Sequence, residues 1–118
     1  MKLRTNDEVI ELKDFTVKTG LHCESSAMMN ALHYQGVDLN ENMIVGLGSA
    51  PAFFFNAEDA FPFIGGRSHT MRENFCASTG IDVAVASPGT RQDAYDAVKD
   101  ILRKGLPVVL RVNMRYLP

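Results

Sequence analysis

Leu21-His22-Cys23-Glu24-Ser25-Ser26-Ala27-Met28-Met29-Asn30-Ala31-Leu32-His33-Tyr34-Gln35-Gly36 decides how the first half of this chain is read. Ala27, Met28, Ala31, Leu32 and Tyr34 fall near helical spacing, so the stretch predicts a helix from Cys23 or Glu24 to about Gln35. Gly36 then stands where a left-handed C-cap residue belongs. The cysteine is thereby set at the helix N-terminus, where aligned peptide dipoles and unpaired N–H groups favour thiolate over thiol. The same N–H groups can hold the oxyanion that forms when a thiolate attacks a carbonyl. Ser25, Ser26 and Ala27 are small enough to let a substrate approach. Cys23 is thus the candidate nucleophile, against the plainer reading of a buried structural thiol.

Upstream, Val9 to Val17 is rich in strand formers without clean alternation and reads as an extended lead-in ended by Gly20. Downstream, Asn40 is a natural N-cap for a brief helix over Glu41 to Val45, broken by Gly46 and Gly48. Ala52-Phe53-Phe54-Phe55 and Phe61-Pro62-Phe63-Ile64 suit two strands joined by a polar turn over residues 56–60, with Pro62 making the second an edge or irregular strand. Three consecutive aromatics cannot all face inward from one strand, so at least one of them is expected to pack on a further segment or a ligand.

Ser68 to about Thr79 reads as a helix with Met71, Phe75 and Ala77 inward, closed by Gly80, and Cys76 beside Phe75 reads as core. Ile81-Asp82-Val83-Ala84-Val85 alternates with period two, as a half-buried strand does. Thr90-Arg91-Gln92-Asp93 resembles a capping box and opens the strongest helix in the chain. Tyr95, Val98, Ile101 and Leu102 share one of its faces, and Lys99, Arg103 and Lys104 complement the dipole at its C-terminal end. Gly105 and Pro107 stop it. Val108-Val109-Leu110-Arg111-Val112 suits a central strand buried on both faces. The sequence ends soon after this interior-type strand, and on that ground it is read as a piece of a longer protein. The expected class is α+β, with helices packed on a small, mainly antiparallel sheet in one domain over residues 1–118, the domain itself incomplete.

With 118 residues and 46 % hydrophobic content, the chain has the material for one core. A formal net charge of -2 gives no electrostatic reason to expect nucleic acid or an acidic membrane surface. Residues 1–8 lack the apolar core of a signal peptide, and no apolar run approaches the roughly 18 residues of a membrane span, so a cytoplasmic location is expected. The two cysteines, Cys23 and Cys76, are expected as free thiols, and no His or Cys spacing supports a metal site. No cofactor is called for.

A thiolate nucleophile normally works with a histidine held in hydrogen-bond reach and oriented by Asn or Asp. Sequence places none of His22, His33 and His69 in that role: His22 is adjacent but directed away, His33 lies far along the same helix, and His69 would have to be brought in by folding. All three read more simply as solvated or capping residues. Gly65-Gly66-Arg67-Ser68, ahead of a helix, has backbone N–H groups and a guanidinium suited to an anion, which makes Gly65, Gly66 and Arg67 candidate substrate-binding residues; a tight turn is the alternative.

His22-Cys23-Glu24-Ser25-Ser26-Ala27, Tyr34-Gln35-Gly36-Val37, Gly46-Leu47-Gly48-Ser49, Pro62-Phe63-Ile64-Gly65-Gly66-Arg67 and the segment from Pro107 to Pro118 together resemble the N-terminal domain of the butirosin biosynthesis protein H family. The resemblance runs from about residue 20 to the end. It implies the N-terminal part of a papain-like cysteine-enzyme fold, related to the peptidases that cut double-glycine leaders. It also implies acyl transfer from the thioester of an acyl-carrier protein to a small amine, with Cys23 as nucleophile. The family's histidine falls on a strand beyond the segment matching Tyr116-Leu117-Pro118, and the glutamine that often completes a papain-type oxyanion hole has no counterpart among residues 15–22. Acyl transfer through a Cys23 acyl-enzyme is the leading expectation. A peptidase or amide hydrolase of the same fold, and a truncated, inactive domain serving in binding or assembly, are the alternatives.

Overall fold

The computed structural model describes residues 9–57 and 62–116 of the chain, leaving out the side chains of Phe63, Arg67 and Tyr116. Its elements are α1 (Cys23–Tyr34), α2 (Glu41–Leu47), β1 (Pro51–Asn56), β2 (Phe63–Arg67), α3 (Met71–Thr79) and α4 (Arg91–Arg103), followed by a 3-10 turn over Met114–Tyr116. The class is α+β, as expected, with β1 and β2 paired antiparallel.

Local chemistry explains the helix ends. Gly36, Gly80 and Gly105 take positive φ after α1, α3 and α4, where a Cβ would be strained. The Asn40 side chain accepts the Met43 N–H at 2.9 Å to start α2. Before α4, Thr90 Oγ1 accepts the Asp93 N–H at 3.1 Å and donates to Asp93 Oδ2 at 2.7 Å, so the cap closes hydroxyl to carboxylate, where a capping box has the carboxylate accept the N-cap backbone N–H. The helix expected from Ser68 starts instead at Met71. Ser68 Oγ accepts the Thr70 N–H at 3.1 Å, a local turn that competes with the first helical turn.

The core lies among the helices. Met28 and Met29 of α1, Ile44 of α2, Ala50, and Met71 and Phe75 of α3 are buried together, with Leu32, Leu39, Val45, Leu47 and Ile81 packed around them. Gly48 lets α2 close on α3: a Cβ there would lie 2.5 Å from Met71 Cγ and 2.8 Å from the Met71 carbonyl oxygen. Ala77 faces outward rather than in, and Cys76 is only half-buried.

Two expected strands do not form. Residues 81–85 and 108–112 run as irregular chain, and among the described residues β1 and β2 make the whole of the sheet. A strand exists by pairing. Among the described residues neither segment is paired with another, and Val85 stays 62 % exposed and Leu110 57 % exposed. The radius of gyration, 16.4 Å, is correspondingly above the roughly 13.5 Å of a compact chain of this length. Part of the expected polar turn at residues 56–60, together with Phe61, lies outside the described residues, as do the opening residues 1–8 and the final Leu117-Pro118.

Candidate functional site

The turn that carries Cys23 is built from three pieces of chain. Buried Asn30, on α1, accepts the Lys18 N–H at 2.7 Å and donates to the Lys18 carbonyl at 3.0 Å and the Ser26 carbonyl at 2.8 Å. That fixes the end of the lead-in along α1. From α2, Glu41 reaches across: Oε2 accepts the Leu21 N–H at 2.8 Å, while Oε1 accepts the His22 N–H at 2.9 Å and the hydroxyls of Ser25 and Ser26 at 2.7 and 2.9 Å. Gly20 leaves the space this requires, since a Cβ there would stand 1.9 Å from Ser26 Oγ and 2.8 Å from both Glu41 oxygens.

His22 is the N-cap of α1. Its Nδ1 accepts the Ser25 N–H at 3.4 Å, and its carbonyl accepts the Ser26 N–H at 2.9 Å. Capping uses an Nδ1 lone pair, which puts the ring proton on Nε2 in this arrangement. Cys23 follows as the first residue of α1, an exposed, free thiol. Among the described residues no acceptor meets its N–H.

The electrostatics at this helix end run in two directions. Peptide dipoles favour an anion at Cys23. The Glu41 carboxylate already occupies part of that field, its pKa drawn down to about 2, chiefly by the Leu21 N–H, then by the Ser25 hydroxyl and the His22 N–H. Its negative charge opposes a second one nearby. Sequence alone does not single out Glu41. Its visible signal, an acidic residue just after an Asn N-cap, reads as ordinary dipole compensation for α2.

The other expected site residues are dispersed. Gly65, Gly66 and Arg67 belong to β2, in register with β1 through the pairs Phe54–Gly65 and Pro51–Arg67, and do not form a loop ahead of a helix. Strand N–H groups point alternately to either side, so they do not converge on an anion as a glycine loop can. The guanidinium of Arg67 lies outside the described side chains. Gly65 instead makes room for the ring of Phe54, whose Cε1 would be 2.0 Å from a Cβ at that position. Gly66 does come near the thiol's turn: it shares with His22, Val45, Ala50, Pro51 and Met71 a cleft of about 250 Å3. A larger open groove, about 580 Å3, runs beside α1 along Ala27, Asn30 and Ala31, walled by Phe15, Leu102 and Val108 among others.

The histidines other than His22 are occupied elsewhere. His33 Nδ1 lies 3.2 Å from Asp38 Oδ1, and Asp38, which also meets Lys18 at 3.3 Å, has its pKa lowered mainly by that lysine. The His69 ring packs on Phe54, centroids 4.4 Å apart. Among the described residues there is no cluster of three or more metal-ligating side chains, and no helix long and apolar enough to cross a membrane.

No curated protein and no solved structure matches this chain. A family model does: butirosin biosynthesis protein H, N-terminal, over residues 22–118. The match begins at the capping His22 and takes in Cys23, Glu41, the hairpin and α4, and by it the chain belongs to the butirosin biosynthesis protein H N-terminal family.

Proposed function

We propose that Cys23 is the nucleophile of a thioester-to-amine acyl transfer. Membership of the family makes this a biosynthetic, acyltransferase-related domain. The observation that carries the finer reading is the exposed thiol at the first position of α1, beside an uncommitted N–H of its own. In this reading the Cys23 thiolate attacks the carbonyl of an acyl thioester on a carrier protein. The tetrahedral oxyanion is met by the Cys23 N–H. Collapse forms the Sγ–acyl bond, breaks the carbon–sulfur bond to the carrier, and the carrier thiolate takes up a proton. A small amine then attacks the acyl-enzyme. The carbon–nitrogen bond forms, the bond to Sγ breaks, and the proton lost by the amine returns the cysteine to its thiol form. Gly66 lines the cleft beside His22 and is placed against the acyl donor. Gly65 contributes by seating Phe54. No resident cofactor takes part.

The test is intact mass spectrometry of the full chain incubated with an acyl-loaded carrier protein or acetyl-pantetheine. An added acyl mass on the Cys23 peptide, absent in Cys23→Ser and discharged as an amide on adding a small amine, is the expected result. Discharge by water at the same rate with and without amine would move the assignment to a hydrolase. A wild-type chain that takes up no acyl group would refute the nucleophile role.

A further inference from the structure

Glu41 sits at the centre of the Cys23 turn, and three roles are open to a carboxylate there. A general base needs a free lone pair and a pKa near the working pH. Glu41 lacks the second, its pKa drawn down to about 2 by its donors, and both of its oxygens are already engaged, Oε1 by three donors and Oε2 by the Leu21 N–H. An activator of the thiol would have to favour thiolate, and a neighbouring negative charge does the reverse. What remains is geometric. In the stretch from Leu21 to Ser26, the donors to Glu41 are Leu21 and His22 through backbone N–H, and Ser25 and Ser26 through hydroxyls. These residues flank Cys23 on both sides. Ser25 is fully buried, and Gly20 is tailored to the carboxylate's position.

We infer that Glu41 is a positioning residue: it holds the turn around Cys23 in one geometry, so that the thiol and the Cys23 N–H meet a thioester carbonyl together. This rests on the acyl-transfer reading above. It assigns to α2 a part in the site that its position in sequence, well after the nucleophile, does not suggest. Orientation effects of this kind are large, since misplacement by about 1 Å costs on the order of a hundredfold in rate.

Glu41→Gln is the discriminating variant. The amide oxygen can still take the His22 N–H and the serine hydroxyls, but its NH2 group then faces the Leu21 N–H, donor against donor. Two rates are compared on the full chain: acylation of Cys23 by acetyl-pantetheine, and alkylation by iodoacetamide, which needs an accessible thiolate and little orientation. The expected result is acylation slowed roughly ten- to a hundredfold, with alkylation unchanged or faster because a negative charge has gone. Ser26→Ala, which keeps both backbone N–H contacts, acylates within about threefold of wild type, the scale of one lesser contact. Equal acylation rates in wild type and Glu41→Gln overturn the inference, and so does a parallel fall in both rates together with lost helical circular dichroism. If the wild type is not acylated at all, the acyl-transfer reading fails, and the inference is then judged on amide exchange. Leu21 and His22 amides that exchange at least tenfold faster in Glu41→Gln support the hold on the turn; equal exchange overturns it.

Discussion

Gly46 and Gly48 stand two residues apart at the end of α2, and alanine at each should act with opposite sign. Neither has positive φ; Gly48 sits at φ -79° and ψ 0°, which alanine adopts without strain. On backbone grounds alone, replacing either glycine stabilises by about 0.4–1 kcal/mol, mainly by restricting the unfolded chain. At Gly46, which is exposed and whose added Cβ meets nothing within 4 Å, that term acts alone. At Gly48 the Cβ would stand 2.5 Å from Met71 Cγ, 2.8 Å from the Met71 carbonyl and 3.0 Å from the Ile44 carbonyl. The Met71 carbonyl is backbone of α3 and the Met71 side chain is buried in the core, so α2 and α3 must part by several tenths of an ångström. Overpacking of this kind costs about 1–3 kcal/mol, leaving a net loss of roughly 1–2 kcal/mol. At about 4 °C per kcal/mol for a chain of this size, Gly48→Ala should lower the thermal midpoint followed at 222 nm by roughly 4–8 °C. Gly46→Ala should raise it by about 2–4 °C on the same scale. A Gly48→Ala protein as stable as wild type would show that the close approach of α2 to α3 is not real.

The remaining predictions concern the core, the caps and acid. Phe75, fully buried between the helices, should cost about 3–5 kcal/mol as Phe75→Ala, read from the urea midpoint. His22→Ala removes the cap on Ser25 and should cost about 1 kcal/mol while leaving Cys23 in place, so helix content near 222 nm falls more than iodoacetamide labelling does. Glu41 has its pKa lowered from 4.5 to about 2 in the folded chain, so its stabilising contribution is complete above pH 4.5 and is lost as pH falls toward 2. The urea midpoint of wild type should therefore drop across that window more steeply than that of Glu41→Gln.

The helices were legible because their signals are local. Apolar spacing, Asn40 and Thr90 as caps, and the glycines after α1, α3 and α4 each act within a few residues, and the structure uses them as read. The strands at residues 81–85 and 108–112 were misread for the opposite reason. Alternation and β-branching describe a side chain suited to a sheet, but pairing is a property of two segments, and no partner is present among the described residues. Gly65 and Gly66 read as loop because glycine is a poor strand former, yet the Phe54 ring needs that bare strand surface. In the site, Cys23 and its helix-end position were visible, as was a capping role for His22. Glu41 was not, because a contact between a carboxylate and a distant turn leaves no periodic trace in sequence.

The β1–β2 hairpin has a consequence for handling the protein. Among the described residues its strands pair only with each other, and Phe53, 77 % exposed, and Ile64, 63 % exposed, project from them into solvent. Residues 51–56 carry no charge and no proline after the first position. A short, uncharged, aromatic strand with a free edge is a template for adding the same strand from another molecule. Phe53→Lys, which places a charge at an exposed position of β1 away from the Cys23 turn, is therefore expected to raise the concentration at which the chain aggregates.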